Sequence, residues 1–173
     1  YMAWAANLLP HEIDLNWATR KRDPEYYMIG SISPSGPFAN GPAVNEWMQE
    51  CKYAGIECYH SDPWVQPLPD EVYREFMQKS IMQPDLRNET HMAWGVKSCR
   101  IFKAISYCHL GLTNSPKLAK FIDDSIVCSE DIKELFLKGF AKYQNVDLIR
   151  HQMLIVKDKH TFMNRSQGIL KLL

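Results

Sequence analysis

The chain has 173 residues, 46% of them hydrophobic and 23% charged, so it is long enough to bury a real core and too apolar for bulk disorder. Twenty basic side chains balance 20 acidic ones, and zero net charge argues against general attraction to nucleic acid or to an anionic membrane. No apolar run reaches the roughly 18 residues of a spanning helix, so no transmembrane helix is expected.

Residues 1–22 read as partly helical. Leu8, Leu9, Ile13 and Trp17 roughly share a face, and Arg20, Lys21 and Arg22 would close the helix where cations suit its dipole. Residues 23–42 read as a loop, punctuated by Pro24, Gly30, Pro34, Gly36, Pro37, Gly41 and Pro42. Pro42 then opens a helix with Val44, Trp47, Met48 and Cys51 on one face, stopped by Gly55. Pro69 starts another, with Asp70 and Glu71 in its first turn and Val72, Tyr73, Phe76 and Met77 inward. The spacing of Met92, Val96, Cys99, Phe102 and Ile105 predicts one long helix over 85–110, capped by Gly111. Ser115 and Pro116 begin the next. Ser129 begins a last one, whose stripe of Ile132, Leu135, Phe136, Gly139, Phe140 and Tyr143 is predicted to continue to Val156. No alternating strand pattern stands out.

Nine of the 10 prolines and four of the five tryptophans fall within the first 84 residues. Proline blocks helix interiors while the large rings want burial. The expected fold is therefore mainly α: an irregular helical bundle over 43–173, preceded by a proline-rich, partly extended N-terminal arm over 1–42. Charge divides the same way. Residues 1–86 hold 6 basic and 12 acidic side chains, and residues 87–173 hold 14 and 8.

Motifs that would carry chemistry are incomplete. Glu57 and His60 have the spacing of a helical di-metal pair but occur once, between Gly55 and Pro63. Cys58, His60, Cys108 and His109 make a zinc set on paper, without the Cys-x-x-Cys spacing that gives such sets weight. Five cysteines at irregular spacing read as reduced thiols of an intracellular compartment. No phosphate-cradling glycine loop and no nucleophile elbow is found. The expectation is accordingly no catalytic residue, no metal and no cofactor.

The reading that follows is a non-catalytic accessory or structural subunit of a larger multiprotein assembly. Its contacts to other protein subunits would run through Trp4, Leu8, Trp17, Phe38, Trp47 and Trp64. A mitochondrial complex is the specific expectation, from the wrapping arm and from a chain that begins at Tyr1 rather than methionine. Two alternatives stand beside it. One is a small helical enzyme or metal-binding protein using Glu57, His60 and the nearby thiols; the other is an RNA-binding component using the basic C-terminal half.

Overall fold

The computed structural model describes residues 5–36 and 39–171. Helices dominate, as the sequence predicts, so the chain is mainly α. Four short strands accompany them among the described residues: β1 (Glu25–Ile29), β2 (Glu57–Ser61), β3 (Leu112–Thr113) and β4 (Val127–Cys128). The helices among the described residues are α1 (Gly41–Tyr53), α2 (Asp70–Lys79), α3 (Glu89–Trp94), α4 (Cys99–Ser106), α5 (Pro116–Ile122), α6 (Ile132–Phe140), α7 (Val146–Lys159) and α8 (Phe162–Leu170). None is long and apolar enough to cross a membrane.

Each strand pair is parallel and joined by a helix. β1 and β2 flank α1, with Glu25 opposite Glu57 and Ile29 opposite Ser61. β3 and β4 flank α5, with Leu112 opposite Val127. Residues 80–86 run between the two pairs and join them. Ile81 N–H donates to Glu25 C=O (2.8 Å) and Asp85 N–H to Leu112 C=O (2.8 Å), with Asp85 a parallel bridge partner of Thr113. The extended segments therefore lie in the order β2, β1, 80–86, β3, β4.

Ile81 and Asp85 are four apart, so in a regular strand their N–H groups would point the same way. Here they point to opposite neighbours. The backbone must therefore turn over between them, and the interval holds Pro84, which has no donor to give. Side chains fill the gap. Tyr27 N–H donates to Ser80 Oγ (3.2 Å), and the Gln83 carboxamide donates to Tyr27 C=O (2.8 Å).

Pleat alternation sorts the helices onto two faces. Tyr26 meets Trp47 of α1, with ring centroids 6.3 Å apart. Its neighbour Tyr27 stacks between Phe76 of α2 (4.7 Å) and Tyr59 of β2 (4.9 Å). Adjacent strand residues point to opposite faces, so α1 and α2 cover opposite sides of β1. α6 packs beside α1, where Phe136 meets the Trp47 indole edge-on at 5.2 Å. α4 packs on α7, and the α2 side chain Tyr73 meets Tyr107 just past α4.

Several expectations change. Residues 23–42 are not all loop, because β1 lies inside them and Tyr26, Met28 and Ile29 are buried in the common core with Leu8 and Ile13. The run Glu-Tyr-Tyr-Met-Ile does not alternate because both its faces are covered. Residues 10–12 and 15–19 are 3-10 turns rather than a helix. The long helix over 85–110 is two, since Gly95 takes a left-handed C-cap (φ +63°) and Ser98 caps a new start. The last stripe also breaks, and the Asn145 side chain accepts from Leu148 N–H to begin α7.

Candidate functional site

In open parallel sheets the segments leaving the carboxyl ends of neighbouring strands diverge where the strand order reverses, and a crevice opens there. In this chain that place is between β1 and residues 80–86. A cleft of about 380 Å3 lies there, walled by the segment after β1, the first turns of α1, residues 87–92, Asn114 and the start of α6. Its size is that of small-molecule sites.

The floor is built from buried polar groups. Asp85 is wholly buried, and its carboxylate takes two hydrogen bonds from Arg87, from Nε at 2.6 Å and Nη2 at 2.5 Å. Ser98 Oγ donates to the same carboxylate (3.1 Å), which ties it to the start of α4. Thr113 Oγ1 donates to Asp85 C=O (3.1 Å). The buried Asn114 carboxamide then clamps the backbone of Arg87, accepting from its N–H and donating to its C=O, both at 2.7 Å. These bonds hold residues 85–87 in place.

The opposite wall is the turn after β1. Asn40 accepts from Ser33 N–H (2.8 Å) and donates to Ser31 C=O (3.2 Å), which ties the start of α1 to residues 31–33. Gly41 N–H donates to Ser33 C=O (2.9 Å), and a Cβ on Gly41 would stand 2.9 Å from that oxygen. The close approach is why glycine opens α1.

The charges of the cleft are lopsided. Glu46, Glu89 and Glu130 line it and are exposed, and among the described residues none of them is in an ion pair. The one lining cation, Arg87, is neutralised by Asp85. At the edge, burial and then the Arg87 guanidinium push His91 below its ordinary value, so its ring is neutral at pH 7. The first turn of α1 offers little to an anion. The Gly41 N–H is taken and Pro42 has none. Ala39, Ala43, Met92 and Ile132 supply apolar surface.

The residues singled out from sequence lie elsewhere. Glu57 and His60 stand on β2, not a helix, and three residues along a strand point to opposite faces. Glu57 accepts from Tyr59 OH (2.6 Å), while His60 Nε2 meets Gly30 C=O (2.8 Å). His109 is fully buried against Met77 C=O, and burial lowers its pKa to about 3. Its neighbour Cys108 has its carbonyl bound by Arg22. Among the described residues no His, Cys, Asp and Glu cluster of metal-holding geometry exists.

Of the six residues proposed for partner contacts, Trp47 is wholly enclosed and Leu8 is buried, so neither ring nor branch has surface to offer. Trp17 is half-buried and Trp64 is 90% exposed. Trp4 and Phe38 lie outside the described residues. Arg87 and Asn114, which line the cleft, and Asp85 and Ser98, which are bonded beneath them, were not singled out from the sequence. The available signal was each apolar run ending in a polar residue just before a helix, as in Leu112-Thr113-Asn114-Ser115-Pro116. No family model, curated protein or solved structure matches the chain.

Proposed function

We propose that this chain is a small-molecule-binding domain whose ligand occupies the cleft between β1 and residues 80–86. The observation that carries it is the position of the cleft: it stands where the order of parallel strands reverses, over a floor of buried, mutually bonded polar residues. Three unpaired carboxylates and a neutralised arginine favour a ligand that presents O–H or N–H donors, neutral or cationic, and oppose a phosphate. Apolar walls suit a flat or carbon-rich body between those donors. The test is calorimetric titration of the whole chain with a ribonucleoside, with its 5′-monophosphate and with a polyamine. Binding of the nucleoside or polyamine, lost in Glu46→Lys and Glu130→Lys, supports the reading. Preference for the monophosphate, or binding unchanged by both substitutions, refutes it.

A second reading keeps the chain as an accessory subunit of a larger assembly, in a mitochondrial setting, acting through protein contacts. Trp64 and Val65 favour it. They are 90% and 84% exposed and sit side by side just past β2. β2 is itself an edge strand, with β1 on one side only. Sedimentation of the native protein from its source decides this reading, because a particle no larger than the 20.1 kDa chain sinks it.

A further inference from the structure

Cys51 stands in the last turn of α1 and Cys58 in β2, and the chain between them turns tightly, with Ile56 N–H donating to Cys51 C=O (2.9 Å). Tyr26 and Cys58 are register partners, so the Cys58 side chain shares the face that α1 covers. Its sulfur is 3.8 Å from Met48 C=O, which lies three residues before Cys51 on the same helix. Cys51 is wholly buried, whereas Cys58 is half-buried and lines an open hollow with Lys52, Gly55, Glu57 and Tyr59.

We propose that Cys51 and Cys58 are a dithiol pair that a hydroperoxide converts to a reversible disulfide, with Cys58 attacked first and Cys51 resolving it. The two thiols are not equivalent. Burial raises both. The Cys51 thiol and the Lys52 ammonium partly offset that at Cys58, while proximity to Cys58 raises Cys51 further. The more exposed sulfur is thus also the more readily ionised.

The chemistry closes on the peroxide alone. The Cys58 thiolate attacks one oxygen of hydrogen peroxide, the O–O bond breaks, and a sulfenic acid forms while the departing hydroxide takes up the proton the thiol had released, giving water. The Cys51 sulfur then attacks the Cys58 sulfur. The S–O bond breaks, hydroxide leaves and takes up the Cys51 proton as a second water. Two thiols are oxidised by two electrons and one peroxide is reduced. The tight turn from α1 into β2 sets Cys58 against the helix that carries Cys51, so closure is a local event. Cys108 and Cys128 show no thiol neighbour of this kind.

The experiment exposes the whole reduced chain to stoichiometric hydrogen peroxide, blocks free thiols and maps the peptides by mass spectrometry. Expected are a loss of two hydrogen atoms from the intact mass, a Cys51–Cys58 linkage, and full reversal by dithiothreitol. In Cys51→Ser the Cys58 sulfenic acid persists and is captured by dimedone. In Cys58→Ser, oxidation of Cys51 falls at least about tenfold, because the remaining thiol is buried. A Cys58 that proceeds to sulfinic acid without the linkage overturns the proposal. So does a linkage between other cysteines, or oxidation seen only after denaturation.

Discussion

Asp85→Ala tests the floor of the cleft. The substitution removes the acceptor for Arg87 Nε and Nη2 and for Ser98 Oγ. It leaves behind a guanidinium whose side chain is only 10% exposed. Breaking a buried pair from one side costs about 3–5 kcal/mol, because the stranded charge keeps its desolvation penalty and loses its partner. Against a typical total of about 5–15 kcal/mol, that is a large share. With a urea slope of about 2 kcal/mol per molar, the unfolding midpoint should fall by roughly 2 M. A control separates the pair from mere packing. Asp85→Leu combined with Arg87→Leu strands no charge, and should lie closer to the native chain than either single change does. Equilibrium urea unfolding followed by tryptophan fluorescence reads both. A loss below about 1 kcal/mol for Asp85→Ala, or a double variant worse than the single, would falsify the claim that this ion pair is a desolvated keystone of the floor.

Acid should destabilise the chain through two histidines. Burial lowers His109 to about 3 and, with Arg165 and Lys159 nearby, His160 to about 4. Both folded values lie under the unfolded value of about 6.5, so their contribution is complete above that pH and is lost as pH falls toward the folded values. Between pH 6.5 and 5 each should cost about 2 kcal/mol, and His109→Gln should flatten the thermal-unfolding profile over that range. Trp47 and Trp64 should behave oppositely under truncation. Trp47→Ala, in a site of zero exposure, should cost about 3–5 kcal/mol. Trp64→Ala, at 90% exposure, should stay within about 0.5 kcal/mol in chemical denaturation; a larger loss there would place the indole against the chain's own surface.

Helices were legible in the sequence wherever proline or a short polar residue marked a start. Pro42, Pro69 and Pro116 each fall within one residue of an observed helix start. The breaks were harder to see. Gly95 sits within a stripe whose helical spacing continues across it, so periodicity alone carried the expected helix through a real stop. Strands were the larger loss. β1 is covered on both faces and shows no alternation, while β3 and β4 are two residues each, too short for any period. The cleft was hidden for the same reason, since its residues become neighbours only through strand order. Asp85, Arg87 and Asn114 carry no spacing signal when 27 residues separate the carboxamide from the backbone it clamps. Trp47 shows the reverse case, in which an aromatic ring in a proline-broken region found full burial through Tyr26 and Phe136.

The seam at Gln83-Pro84 has a consequence for how the molecule is put together. On either side of it stands a parallel pair closed by its own helix, β1-α1-β2 and β3-α5-β4, and each is local in sequence. The seam joins them with few backbone hydrogen bonds, and a hydroxyl and a carboxamide stand in for the missing ones. The seam thus supplements a core the halves already share, in which Phe136 of α6 meets Trp47 of α1. Each half can gather its local contacts first, and docking across 80–86 is the late, long-range step. The cleft opens where the seam ends at Arg87, so a ligand there would bind beside the joint between the two pairs and add to what holds them together.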